Sequence, residues 1–181
     1  MKEFIYPEMM VHVGLCTNKD AKDVLIISDN SELLSKEVEK HSDTNKTVIG
    51  CSIDSISALA DNNYDVVICE LNIDGAIASQ ISRVLKDDGQ LVTTHPSLDD
   101  VEKNTIMMKI LGQYFKVIMP YNIGNGSTAI LASKEYHPTA DINLHRADML
   151  DNLNYYNCDV HPAAFAMGNY IRKEYLGVIK N

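Results

Sequence analysis

Two carboxylates, Glu70 and Asp74, stand just past the apolar run Tyr64-Asp65-Val66-Val67-Ile68-Cys69. A carboxylate at the end of a buried strand can take a proton or hold a cation, and a pair suits an amine. The same residues also suit plainer work, as solubilising loop acids or as caps for a helix opening at Gly75. In an open parallel sheet, ligands gather at the carboxyl ends of the strands. That rule also singles out Ser28-Asp29-Asn30, Cys51-Ser52, Thr94-His95-Pro96 and Pro120-Tyr121-Asn122. The first strand-to-helix turn of such folds normally carries glycine, so that backbone can approach a nucleotide. Here it reads Ser28-Asp29-Asn30-Ser31-Glu32, and each side chain raises the steric cost of close approach. Asp54 is the nearest acid to the position that would bind a ribose, and it fits that place weakly. His95 and His161 read as structural histidines. Cys16, Cys51, Cys69 and Cys158 form no CxxC pair, so neither a metal nor a redox motif is supported.

The elements that must position these residues alternate. Residues 3–15 carry Met9, His12 and Val13, with Cys16 just beyond, at helical spacing after Pro7. Val24-Leu25-Ile26-Ile27 reads as a strand buried on both faces, followed by a helix over 32–41. Strands are expected at 47–51, 64–69 and 90–94, with helices over 54–60, 77–85 (closed by Asp88-Gly89) and 97–113 (capped by Ser97). Two further strands, 114–119 and 127–133, have no helix between them and should be antiparallel. This pattern predicts an α/β, Rossmann-like methyltransferase-type fold: a mostly parallel sheet, helices on both faces and a terminal antiparallel pair. One domain over residues 1–181 is expected.

Near the C-terminus, residues 153–166 hold Tyr155, Tyr156, Phe165 and a His161-Pro162 step. Asp159 is placed to cap a short helix there, and Pro162 lies where a first turn tolerates it. The aromatic residues suit a segment that pins the tail to the domain.

Composition narrows the function classes. Apolar residues make up 45% and charged residues 23%, ordinary for a globular protein. A net charge of −9 argues against a nucleic-acid surface, which needs clustered Lys and Arg. Residues 1–8 show no signal-peptide core, and no apolar run approaches the ~18 residues of a membrane span. A cytoplasmic location is expected, with no membrane and no nucleic-acid partner.

The string Tyr155-Tyr156-Asn157-Cys158-Asp159-Val160-His161-Pro162-Ala163-Ala164-Phe165-Ala166-Met167 resembles the C-terminal signature of spermidine synthases, the polyamine aminopropyltransferases. Glu3-Phe4-Ile5-Tyr6-Pro7-Glu8-Met9 resembles that family's EF-x-Y-x-E-M segment, and Met119-Pro120-Tyr121 its substrate-tyrosine loop. The run ending at Glu70 resembles the strand that leads to the family's catalytic aspartate. The resemblance implies transfer of an aminopropyl group from decarboxylated S-adenosylmethionine to putrescine, with release of methylthioadenosine. It makes Glu70 the expected base, and Tyr6, Glu8, Asp74 and Tyr121 the expected amine-binding residues.

The chain departs from that pattern on its donor side. The family's GGGDG turn is replaced by residues 28–32, and its adenine-contacting aspartate falls at Cys51 or Ser52. Donor binding would rest on Asp29, Ser31, Cys51 and Ser52. Five residues between His41 and Thr47 are too few for the family's extra strand and helix, so the sheet should be reduced. The segment preceding EF-x-Y-x-E-M, a small β-domain in the family, has no counterpart in the sequence. Without its cover, helix 6–13 and a sheet edge are expected to pair in a homodimer. The expectation is a weak or inactive aminopropyltransferase, with decarboxylated S-adenosylmethionine as co-substrate. The alternative is a non-catalytic polyamine-binding or protein-interaction module.

Overall fold

Strands with apolar residues at consecutive positions, as at 24–27 and 66–69, must be covered on both faces. The computed structural model, which describes residues 2–181, does this with one six-stranded sheet between two apolar layers. The elements in chain order are α1 (Ile5–Thr17), β1 (Asp23–Ile27), α2 (Glu32–Val38), β2 (Asn45–Ile49), α3 (Ile53–Ser57), β3 (Tyr64–Cys69) and α4 (Gly75–Val84). They continue with β4 (Leu85–Thr94), α5 (Val101–Leu111), β5 (Val117–Asn122), β6 (Thr128–Ser133), α6 (Leu144–Asp148), α7 (Val160–Ala164) and α8 (Asn169–Glu174). The strand order is β2-β1-β3-β4-β6-β5. β1 to β4 pair in parallel, and β6 runs antiparallel to both its neighbours. The fold class read from the sequence is therefore the observed one, with the expected terminal antiparallel pair.

Several boundaries move for identifiable reasons. β4 starts at Leu85, in text that reads as the end of a helix. Its register with β3 jumps from Tyr64↔Leu85 to Val66↔Gln90, so residues 86–89 bulge out. Lys86 Nζ fastens the bulge, 2.9 Å from both Asp23 and Asp65. α5 is capped by Asp100, whose Oδ1 accepts from Lys103 N, and not by Ser97. β2 lies at the sheet edge and is partly exposed. At the other edge, Lys180 closes on β5 through two backbone hydrogen bonds with Ile118, of 2.7 and 3.0 Å.

α1 is buried from Pro7 to Thr17 around its whole circumference, and not on one stripe. Gly14 lets it lie close on the sheet: a Cβ there would come 2.9 Å from Val92 and 3.1 Å from Val66. α2, α6 and the tail enclose the remaining sides. The expectation that this helix lacks cover is thus corrected, because the chain's own C-terminal segment supplies it. Among the described residues no helix is long and apolar enough to cross a membrane.

The tail follows a different local logic from the one its sequence suggests. Asp159 makes no side-chain cap; Asn157 Oδ1 accepts instead from Asp159 N and Val160 N, at 2.9 and 2.8 Å. Phe165 is 4% exposed, with its ring 5.1 Å from that of Tyr121. Truncation of a buried phenylalanine costs ~3–5 kcal/mol. Phe165→Ala is expected to lower stability by ~3 kcal/mol in urea denaturation, and an unchanged midpoint would mean that the tail does not pack in solution.

Candidate functional site

The ladder at the centre of the sheet runs one residue past the strand ends. Glu70 N donates to Ile27 O at 2.9 Å, and Ser28 N donates to Ile49 O at 3.1 Å. This places the Ser28 and Glu70 side chains together beyond β1 and β3. Ser28 Oγ donates to Glu70 Oε2, and itself accepts from Asn30 N at 3.0 Å. The Tyr6 hydroxyl, from the start of α1, donates to Glu70 Oε1 at 2.6 Å. Burial, then the Glu70 carboxylate beside it, pushes the Tyr6 phenol far above its ordinary value, so it stays a donor. An ionised carboxylate offers about four acceptor sites. Two hydroxyls therefore hold Glu70 in place and leave it acceptor capacity for an N–H group. Its half-buried setting suits a cation ligand or a proton acceptor.

The neighbouring turn is closed on itself. Asp29 Oδ1 accepts from Cys51 N at 2.9 Å, tying the first strand-to-helix turn to the segment after β2. Residues 28–32 include none of the described positive-φ positions, so the turn is made without the left-handed geometry that glycine permits. Ser52 Oγ accepts from Ser55 N at 3.1 Å and caps α3. Ser31 sits at the start of α2 without a side-chain cap. The Cys51 thiol, its value raised first by burial, lies 3.8 Å from Ile27 O. Asp29 and Cys51 are thus joined by one hydrogen bond, and Ser52 is engaged within α3.

Three expected amine-binding residues lie elsewhere in the fold's working parts. Glu8 is 0% exposed, and its carboxylate accepts from Asn154 N, Tyr155 N and Tyr156 N at 2.8–2.9 Å. Tyr121 is also 0% exposed; its hydroxyl donates to Met9 O at 3.1 Å. Alternation along β5 sends Tyr121 inward and leaves Asn122 at the strand end, where it donates to Ala164 O and Ala166 O. Asp74 is exposed and caps α4, Oδ1 accepting from Ile77 N at 2.8 Å. The structure therefore brings Tyr6 and Glu70 together and adds Ser28, while the carboxylate of Glu8 and the hydroxyl of Tyr121 are bonded to backbone inside the fold.

The sequence reading also missed a buried polar chain between α1 and α2. His12 Nε2 lies 2.9 Å from Glu37 Oε2, and His12 Nδ1 lies 2.9 Å from His41 Nε2. His12, set on an apolar helical stripe, was the one legible sign of it. It packs away from the strand ends and joins helices. Among the described residues, no group of three or more His, Cys, Asp or Glu is placed to hold a metal ion.

Known proteins share parts of this sequence and its fold. Residues 3–57 match the family model described as spermine/spermidine synthase domain. The chain is 28% identical over 199 residues to a polyamine aminopropyltransferase of Helicobacter acinonychis, covering 92% of this chain and 75% of that protein. Its fold is similar to that of spermidine synthase from Thermotoga maritima, with a TM-score of 0.84 at 22% identity, covering 98% of this chain and 75% of the other. A spermidine synthase solved with the transition-state analogue AdoDATO gives a TM-score of 0.85 at 21% identity, over 98% of this chain and 76% of that one.

Proposed function

We propose, from its likeness to spermine/spermidine synthases, that this chain is an aminopropyltransferase-like protein that has kept an amine site and lost its nucleoside site. Transfer from decarboxylated S-adenosylmethionine to putrescine would then be weak or lost. One contrast at the strand ends carries this reading. Glu70 is held in place by two hydroxyls, while the first strand-to-helix turn, residues 28–32, carries side chains and no glycine. In a transfer, Glu70 would take the proton of an ammonium, and the freed nitrogen lone pair would displace methylthioadenosine. That displacement needs a donor held in line, and each lost donor contact removes ~1–3 kcal/mol. Several such losses exceed what the remaining differential binding can offset.

Titration calorimetry tests both halves. Putrescine and spermidine are expected to bind, and methylthioadenosine to give no heat. Methylthioadenosine binding together with formation of labelled spermidine would replace this reading with an active synthase. Absence of any amine binding would remove its amine half. The second reading, a polyamine-binding module with no transfer at all, draws on the same glycine-free turn and predicts no labelled product.

Glu70→Gln separates chemistry from structure. Removal of the charge weakens a charge-assisted hydrogen bond, so amine affinity should fall about tenfold or more. The Tyr6 and Ser28 hydroxyls can rotate to suit the amide, so the unfolding free energy should change by less than about 1 kcal/mol. Unchanged amine affinity in the Gln variant would show that Glu70 is not the amine ligand.

A further inference from the structure

A cleft of about 400 Å³ lies at the end of the sheet away from Glu70. Lys19 and Asp20 lead into β1, and residues 39–44 lead from α2 into β2. These two strands are parallel and start side by side, with Asp23 paired to Asn45. The cleft therefore opens at the amino ends of the strands, whereas Ser28 and Glu70 stand beyond the carboxyl ends. Arg146 and Met149, at α6, form its other wall.

Its cations are Lys19, Lys40 and Arg146, and its carboxylates are Asp20 and Asp43. Lys40 Nζ lies 2.8 Å from Glu37, Asp20 lies 2.8 Å from Lys22, and Arg146 Nη2 lies 3.0 Å from Asp43. Lys19 makes no ion pair among the described residues. The Arg146 pair is unequal: the arginine side chain is 9% exposed and that of Asp43 is 54% exposed. An ion pair with so exposed a partner is worth little, and a more highly charged oxyanion can take its place.

The buried polar chain between α1 and α2 holds this arginine from behind. Glu37 accepts from His12 Nε2, which leaves His12 Nδ1 with a lone pair for His41 Nε2–H, 2.9 Å away. His41 Nδ1 then turns its own lone pair to Arg146 Nη1 at 3.5 Å. Burial lowers the proton affinity of both rings and keeps them neutral. An uncharged acceptor thus positions Arg146, and the guanidinium keeps its full charge for the cleft. Its planar set of donors matches phosphate and carboxylate oxygens. Met149 and Leu150 add an apolar wall.

We propose that this cleft binds a phosphomonoester, its phosphate displacing Asp43 from Arg146 and drawing on Lys19, its organic part lying on Met149 and Leu150. A phosphate monoester carries a charge of about −1.5 to −2 at neutral pH and so matches two cations, where a carboxylate matches one. The chain's net charge of −9 repels anions at large, so one that binds is held by a local site.

Phenyl phosphate, inorganic phosphate and benzoate are titrated calorimetrically into the full chain at constant ionic strength. Phenyl phosphate should bind more tightly than either of the others, because it joins two charges to an apolar ring. Arg146→Gln should weaken it about tenfold or more, through loss of a charge-assisted hydrogen bond. Lys19→Gln should weaken it about threefold, and Asp43→Asn should strengthen it by a similar factor, since the competing carboxylate loses its charge. Lys19 and Asp43 are exposed, so these two variants carry the test even when Arg146→Gln does not fold. No heat from phenyl phosphate with the wild type overturns the proposal. Binding that Asp43→Asn leaves unchanged or weakens overturns it too, as does benzoate bound as tightly as phenyl phosphate.

Discussion

Glu8→Gln is expected to lower the unfolding free energy by about 3 kcal/mol, the largest effect predicted for a conservative change in this chain. The Glu8 carboxylate is fully buried and forms no ion pair among the described residues. Its compensation is three consecutive backbone N–H groups, Asn154, Tyr155 and Tyr156, at 2.9, 2.8 and 2.9 Å. Hydrogen bonds to a charged group are worth ~1.5–3 kcal/mol each. The isosteric amide replaces one acceptor oxygen with a donor, so at least one of these N–H groups would face an NH₂ in a buried site. The tail that these bonds anchor carries Tyr156 and Phe165, which are 2% and 4% exposed and cover α1. Loss of the anchor therefore spreads to the packing of the whole first layer. Urea denaturation reads the stability change, and hydrogen exchange at residues 154–156 reads its origin: protection there should fall first. A Gln variant with the wild-type midpoint and wild-type protection would show that the carboxylate is not the anchor.

Acidification should destabilise the fold well above the usual carboxylate range. Burial depresses His41 to about 3, with His12 and Arg146 adding to it, and holds His161 down to about 4 against the Pro138 carbonyl. Burial lowers His12 as well, against the opposing pull of Glu37. The unfolded chain binds protons at these residues near pH 6.5, and the folded chain does not until far lower pH. Stability from these groups is therefore complete above about pH 6.5 and declines as pH falls below it, by about 1.4 kcal/mol per pH unit for each histidine. Between pH 6.5 and 5, His41 and His161 together would remove about 3 kcal/mol, a large part of an ordinary domain's stability. For Glu37, burial works to raise the carboxyl, but hydrogen bonds from His12 and Lys40 outweigh it and hold it low, so its contribution is lost only at more acid pH. The urea midpoint, followed from pH 7.5 to 5 at constant m, measures the effect. A flat profile over that interval would show that the histidines are protonated in the folded chain.

Where the sequence succeeded and failed can be traced to particular residues. Val24 to Ile27 and Val66 to Ile68 were legible because only a doubly covered strand tolerates unbroken apolar text. The start of β4 was not, since Asp88-Gly89 is helix-ending text and only pairing with β3 turns it into a bulge. Glu70 was legible as a strand-end carboxylate; Ser28 as its partner was not, because 42 residues separate them and β1 must lie beside β3 to join them. Glu8 and Tyr121 were read as ligand groups from their likeness to a family motif, but the tail and α1 enclose both. Likeness transmits residue identity, and burial depends on what folds over it.

The sequence alone therefore determined the layer order, the resemblance to a known family and the absence of a glycine turn for a nucleotide, because these depend on local pattern and residue type. The tertiary structure decided the rest. It set Tyr6, Ser28 and Glu70 within hydrogen-bond reach, turned Glu8 into an anchor, closed Asp29 on Cys51 and lined up Arg146, His41 and His12. Each of these joins residues from separate elements. Desolvation and hydrogen-bond geometry are properties of that assembled space.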